Sequence, residues 1–335
     1  MKTLLAYTAI CFLINNTSFA QVKIDAADSI HKEVNQEYIE RYKENRELSY
    51  TSPFGEIGAP AKFIIEGRLT TTYLIIASKH LPVSLALIPD FTVKVLNERS
   101  AGVRTSSFRL GAAAYVRLNN DAEHYKYAEL SFTHHSNGQD GNALNPDGTI
   151  NTYNGNFNTN YITALYRFGH FQNQDPQHTA YSSFNHRVGV EIHKGFSYEP
   201  ILKNDYGFTR ILYSFSFRRY NLYKENGRSW KKLKNRENDD QKVLEKELIR
   251  VNADLSYAVN PMAEYKFGSA KKRLNAEVSF NYSMPFMQNA FLMASAGYYG
   301  EDPYNIYYTN QYSYIRLGIS SGFIKNKIRS LQYLK

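Results

Sequence analysis

The chain has 335 residues with 40 Lys and Arg against 31 Asp and Glu, a formal charge of +9, and a single cysteine, Cys11. One cysteine excludes a disulfide framework, and the apolar runs are too short for helical membrane spans. What remains is unusual: 28 Tyr, 20 Phe and one Trp in a chain of negative mean hydropathy.

Residues 1–20 read as a signal peptide. Lys2 gives a charged start, Leu4 to Ile14 is a short apolar core, and Ser18-Phe19-Ala20 is a small-x-small cleavage site before Gln21. Cys11 leaves with it, so no thiol chemistry is expected of the remaining chain of about 315 residues. Losing Lys2 lowers the charge from +9 to +8. That excess suits a surface near anionic lipid and does not by itself suggest nucleic-acid binding.

Residues 21–60 form a polar segment, periplasmic or lumen-filling, in which Ile30, Val34, Tyr38 and Tyr42 recur at helical spacing. From residue 61 to 335 the pattern changes to alternation with a period of two. Runs near 63–76, 83–97, 106–119, 124–136, 158–170 and 181–194 are followed by others near 206–221, 246–260, 272–285, 289–300 and 311–323. Export, alternation and aromatic enrichment together indicate an all-β transmembrane antiparallel barrel in the outer membrane. A secreted soluble β-sandwich is the plainer alternative.

Eleven runs are visible, and bacterial single-chain barrels have even strand numbers. The long polar segment 137–157 should follow an outward-running, odd-numbered strand. One strand is therefore hidden before residue 124, within 44–55 or in a divided 61–78 region, which makes twelve. Residues 222–245, long and heavily charged, resist this parity: either they form an added hairpin on the periplasmic side or the strand register fails there. Lys231, Lys232, Lys234 and Arg236 lie there among acids and read as a solvated surface, with Trp230 as an interface anchor.

The run Tyr127 to Ser136 carries chemistry. Its even positions are Ala128, Leu130, Phe132, His134 and Ser136. Its odd positions are Tyr127, Glu129, Ser131, Thr133 and His135. Successive side chains on a strand point to opposite faces, so a histidine and a serine close an otherwise apolar, lipid-facing surface. His134 and Ser136 stand two residues apart, with α-carbons roughly 6.5–7 Å from each other. An imidazole beside a hydroxyl is the base-and-nucleophile requirement of acyl transfer. On the next run Asn158 tops a face that continues as Ile162, Ala164, Tyr166 and Phe168. The plain alternative is that these polar residues only mark where the apolar band meets headgroups.

His134-His135-Ser136-Asn137-Gly138, then Phe157-Asn158-Thr159-Asn160-Tyr161, resembles the outer-membrane phospholipase A family, whose signature is His-x-Ser-Asn-Gly followed by aromatic-Asn-x-x-Tyr. The resemblance covers about 35 residues specifically. It implies a calcium-dependent, homodimeric twelve-stranded barrel that hydrolyses the acyl esters of membrane phospholipids. Ser136 would be the nucleophile, His134 the base, Asn158 the residue orienting it, and the Gly138 amide an oxyanion donor. Gln139 stands where the family usually has Arg, and the loop is longer. Its oxygens on Gln139, Asp140, Asp147, Asn151 and Asn154 are the candidate calcium ligands, as some subset. A lipid A deacylase barrel, which also carries His-x-Ser-Asn but resembles a shorter, eight-stranded fold with an acid behind the histidine, is the alternative enzyme. A porin or assembly barrel is the non-enzymatic one.

Overall fold

The computed structural model describes residues 26–99, 102–103, 105–173, 179–226, 229–234, 242–284, 287, 289–324 and 326–330. The expected signal peptide lies outside these residues. Among them, no helix is long and apolar enough to cross a membrane. The crossing elements are strands.

Twelve strands follow one another round a closed antiparallel barrel. They are β1 (Ser49–Ser52), β2 (Phe63–Thr70, resuming as Tyr73–Ala77), β3 (Val83–Leu96), β4 (Ser106–Arg117), β5 (Lys126–Ser136) and β6 (Thr159–Asn173). The second half comprises β7 (Ala180–Ile192), β8 (Thr209–Asn226), β9 (Lys242–Ala258), β10 (Leu274–Tyr282), β11 (Ala290–Tyr299) and β12 (Tyr312–Ser321). The ring closes where β1 meets β12, with Ser49 opposite Ser321 and Thr51 opposite Ile319. The hidden strand is β1, inside 44–55. The two parts of β2 both pair with β3 and count as one strand interrupted at Thr71 and Thr72.

The alternation sets the faces. On β5, Tyr127, Glu129, Ser131, Thr133 and His135 are buried, while Leu130 and Phe132 are exposed. Leu87, Leu110, Ile192, Ile211, Leu255, Phe280 and Leu317 continue the exposed apolar belt around the barrel. A belt of that extent is stable only against lipid. Inside, charges are paired because an unpaired charge away from water is costly. Glu129 accepts from Arg167 at 2.7 Å and from Arg46 at 3.1 Å, and Arg250 meets Glu247 through two contacts of 2.6 and 2.8 Å.

One end of the lumen holds helix α1 (Ala26–Glu44). Its four-residue spacing places Tyr38 and Tyr42 against Tyr115, Tyr125 and Tyr127 of the barrel wall. Asn35 Nδ2 donates to the Lys79 carbonyl at 2.8 Å, and the Lys126 amide donates to the Tyr38 hydroxyl at 3.0 Å. These bonds tie the helix to the turns at that end. The opposite end is covered by the segments 137–158, 193–208 and 300–311, which pack together around Phe157, Leu202, Tyr206, Tyr304 and Ile306. Barrels of this kind carry their longer connections on the outer side.

Within the charged stretch 222–245, the described residues 222–226 and 242–245 extend β8 and β9 past the barrel rim. These strands have 18 and 17 residues, whereas crossing a bilayer takes about 9–11. A short strand, Ser229–Lys232, pairs with β8, and another, Asn326–Ser330, pairs with β9. Leu222, Leu233 and Val243 form a small buried cluster there. An added hairpin at the helix end therefore accounts for the parity conflict. Arg236 and the Trp230 side chain lie outside what is described.

Candidate active site

The register of β5 against β6 determines the site. His135 lies opposite Thr159, and His134 opposite Asn160. On the other side, Leu110 of β4 lies opposite His134 and Phe108 opposite Ser136. His134 is exposed on the outer wall and Ser136 is half-buried on the same face. Leu110, Phe132 and Phe108, all exposed, surround them. An imidazole and a hydroxyl thus stand at the upper edge of the apolar belt.

Asn158 and Asn160 stand differently toward the imidazole. His134 Nδ1 lies 2.9 Å from Asn160 Oδ1, whereas the Asn158 side chain donates to Asn156 Oδ1 at 2.9 Å. Both asparagines have outward parity, so alternation could not separate them. Asn137 decides the register. It is 2 % exposed, its Nδ2 donates to the Gly155 carbonyl at 2.7 Å, and the Phe157 amide donates to its Oδ1 at 2.9 Å. These two bonds close the base of the 137–158 loop and hold Phe157 fully buried. β6 pairing then begins at Thr159 and brings Asn160 level with His134.

Gly138 follows with φ +65°, a left-handed turn that glycine adopts without strain. A Cβ there would lie 3.3 Å from the Phe108 ring, so the main chain runs close over the wall beside Ser136. No hydrogen bond joins the Ser136 hydroxyl to His134. Such bonds are often long in resting sites and tighten when substrate enters.

His135 points inward. Its Nε2 lies 2.8 Å from the Ser107 hydroxyl in a buried contact between β5 and β4. The lumen thus contains its own histidine–serine pair, which the pattern of β5 alone did not reveal. The sequence reading also missed the 193–199 segment. The Asn160 Nδ2 donates to the Ser197 carbonyl at 2.8 Å, and Phe196 packs edge-on against Phe132 with ring centroids 5.7 Å apart.

Of the candidate calcium ligands, Asn151 and Asn154 are in direct contact. Asp147 accepts from the Thr149 hydroxyl at 2.6 Å and from its amide at 3.0 Å. Those donors hold its carboxyl below the usual carboxylate range. Asn151 Oδ1 caps the amides of Tyr153 and Asn154, and its Nδ2 donates to Asn154 Oδ1 at 2.7 Å. Gln139 is half-buried and Asp140 is exposed. Among the described residues, no three His, Cys, Asp or Glu side chains gather to hold a metal. The side-chain oxygens of Asp147, Asn151 and Asn154 serve the loop's own turns.

A scan against models of protein families finds no match, and a search of curated proteins finds none. Among solved structures, the fold is similar to outer membrane phospholipase A from Escherichia coli, at 12% identity over 82% of this chain and 90% of that one, with a TM-score of 0.43. An active-site mutant of the same Escherichia coli protein is similar at 11% identity, over 89% of this chain and 99% of that one, with a TM-score of 0.44.

Proposed function

We propose that this barrel is an outer-membrane phospholipase that hydrolyses glycerophospholipid acyl esters to a lysophospholipid and a fatty acid on its lipid-facing wall. The observation that carries the reading is an outward-facing imidazole, hydrogen-bonded by Asn160 at 2.9 Å, on the same apolar face as Ser136. The substrate's ester bonds sit just below the headgroups, the depth at which a polar pair ending an apolar belt would meet them.

These groups and water account for the bonds made and broken. Ser136 Oγ attacks the ester carbonyl while His134 Nε2 takes its proton. The negative charge on the carbonyl oxygen is met by the Gly138 amide. The intermediate collapses, the C–O bond to the lysophospholipid breaks, and His134 returns the proton to that leaving oxygen. Water then attacks the acyl-serine with His134 again as base, releasing the fatty acid and restoring the serine. Asn160 is neutral, so its contribution is orientation of the ring more than stabilisation of its charge. Calcium and a homodimer rest on the resemblance of the His-x-Ser-Asn-Gly motif alone, and no step here passes through a metal.

Twelve strands and an amide behind the histidine favour this reading over a lipid A deacylase. A helix in one mouth of the lumen and packed loops over the other disfavour a porin. The test is hydrolysis by purified protein in vesicles of phospholipid and, separately, of lipid A. Release of fatty acid from phospholipid that disappears in Ser136→Ala is the expected result. Activity on lipid A alone, or activity that survives Ser136→Ala, overturns the assignment.

A further inference from the structure

The connection from β9 to β10, residues 259–273, packs beside the segment 193–208 at the outer end of the barrel. Its Val259 amide donates to the Thr209 carbonyl at 2.8 Å, and its Ala263 amide to the Asn204 carbonyl at 3.2 Å. Arg273 staples the loop from within. Its guanidinium is buried and donates to the carbonyls of Ala258 at 2.8 Å, Asn260 at 2.9 Å, Tyr265 at 2.7 Å and Lys266 at 2.9 Å. From the wall, the Tyr257 hydroxyl accepts from the Gly268 amide at 3.2 Å. Gly268 turns there with φ 110°, a conformation that glycine takes without strain. All of these bonds engage the main chain, so the path of the loop is fixed.

That fixed loop holds an aromatic ring outward. Phe267 is 67 % exposed, the most exposed large apolar side chain among the described residues. Its ring meets Tyr257 edge-on with centroids 5.8 Å apart, and the Arg273 guanidinium lies 5.9 Å from its centroid. Tyr257 shares the outward parity of Leu255 and lies opposite Ile211, both exposed in the apolar belt. Leu255, Tyr257 and Phe267 therefore form one column rising from the belt to the outer rim. Lys266 and Lys271, both exposed, accompany the ring. The exposed acid of the loop, Glu264, stands beside Ala263, toward the 193–208 segment. An aromatic ring with lysines at the level where acyl chains give way to headgroups complements a lipid that carries phosphate above an apolar body.

We propose that residues 259–273 form a docking site for an anionic, phosphate-bearing lipid of the outer leaflet. Phe267 enters the boundary between headgroups and acyl chains, and Lys266 and Lys271 pair with the phosphate. The site is carried by β9 and β10, away from Ser136 on β5, and goes beyond the hydrolytic reading.

Two measurements on the full-length barrel test it. Fluorescence tests the ring. Trp230, the one tryptophan of the chain, is changed to Phe, so that Phe267→Trp reports on its own surroundings. In phosphatidylcholine vesicles its emission should be quenched most by lipid brominated on the acyl chain close to the headgroup. The unquenched emission of a water-exposed indole overturns the proposal. So does a blue-shifted indole that bromine does not reach, which would place the ring against a second copy of the chain. Native mass spectrometry tests the lysines. Protein released from phosphatidylcholine nanodiscs containing lipid A should retain lipid A, and the double variant Lys266→Gln, Lys271→Gln should retain several-fold less. Inorganic phosphate should not displace the lipid. Equal retention by the double variant, or displacement by inorganic phosphate, overturns the lipid assignment. Resistance to detergent unfolding before heating checks that each variant keeps the barrel, and the quenching arm reads the site with both lysines in place.

Discussion

Tyr42 of α1 lies stacked on Tyr115 of β4, with ring centroids 4.8 Å apart and an interplanar angle of 14°. Both rings are nearly or fully buried, and the contact fastens the helix inside the lumen. Removing a buried aromatic of this kind costs about 3–5 kcal/mol. That loss should fall on helix docking and not on the barrel, whose strands hold one another. Tyr42→Ala is expected to raise protease sensitivity within 26–44, with the folded barrel retained. A protease-resistant variant would show that the helix is held by other contacts.

Asp121 in the turn between β4 and β5 supplies a pH dependence. The His124 and Glu123 amides each donate to its Oδ1 at 2.8 Å. Chiefly through the His124 bond, they hold its carboxyl below the ordinary value of 3.8. A carboxyl whose folded pKa is depressed contributes stability above its unfolded pKa and loses it as pH falls through the folded value. The turn also reaches the helix, because the Tyr38 hydroxyl donates to the Asp121 carbonyl at 3.1 Å. Hydrogen exchange at Glu123 and His124 should therefore quicken on acidification below the ordinary aspartate range. Asp121→Asn keeps an acceptor without a titration and should flatten that response. An identical acid profile in the variant would exclude Asp121 as its cause.

Much of this architecture is written in the alternation. Eleven strands were legible because lipid outside and charge inside give each strand two unlike faces. β1 was only bracketed, within 44–55 or in a divided 61–78 region, since four residues, Ser49–Ser52, are too few to show a period. The Tyr38 and Tyr42 spacing foretold a helix. His134 and Ser136 stood out because polar side chains ended an apolar face. Asn160 did not, because Asn158 shares its parity. Which of the two meets the imidazole depends on how the buried Asn137 closes a long loop, and side-chain contacts across twenty residues leave no periodic trace.

That loop supports a prediction about metal removal. Asn137 satisfies Gly155 and Phe157, while Asp147 and Asn151 satisfy neighbouring amides. A loop that supplies its own hydrogen bonds does not need a cation to stay folded. Chelation is expected to leave hydrogen-exchange protection across 137–158 unchanged. Asn137→Ala, which orphans a buried amide and a buried carbonyl, should destabilise the loop by about 1–3 kcal/mol and lower kcat with it. Protection lost in chelator and regained with calcium would place a bound cation among these oxygens.

The last prediction sets two adjacent histidines against each other. His134 and His135 differ by one position on β5 and therefore by the face they occupy. His134 stands on the outer wall beside Ser136, and His135 is buried against Ser107, 2.8 Å from its hydroxyl. His134→Ala should abolish lipid hydrolysis without unfolding the barrel, because in the proposed reaction it removes the group that takes and returns the proton. His135→Ala breaks one lumen hydrogen bond between β4 and β5 and leaves the Ser107 hydroxyl buried without it. The expected effect is a loss of about 1–3 kcal/mol in stability, with most of the turnover retained. Ser107→Ala should behave like His135→Ala, since each removes the same bond. Turnover on phospholipid vesicles, measured beside thermal unfolding, separates the two faces. Should His135→Ala and Ser107→Ala abolish hydrolysis while His134→Ala and Ser136→Ala do not, the reaction would belong to the lumen pair and the lipid-facing assignment would be abandoned.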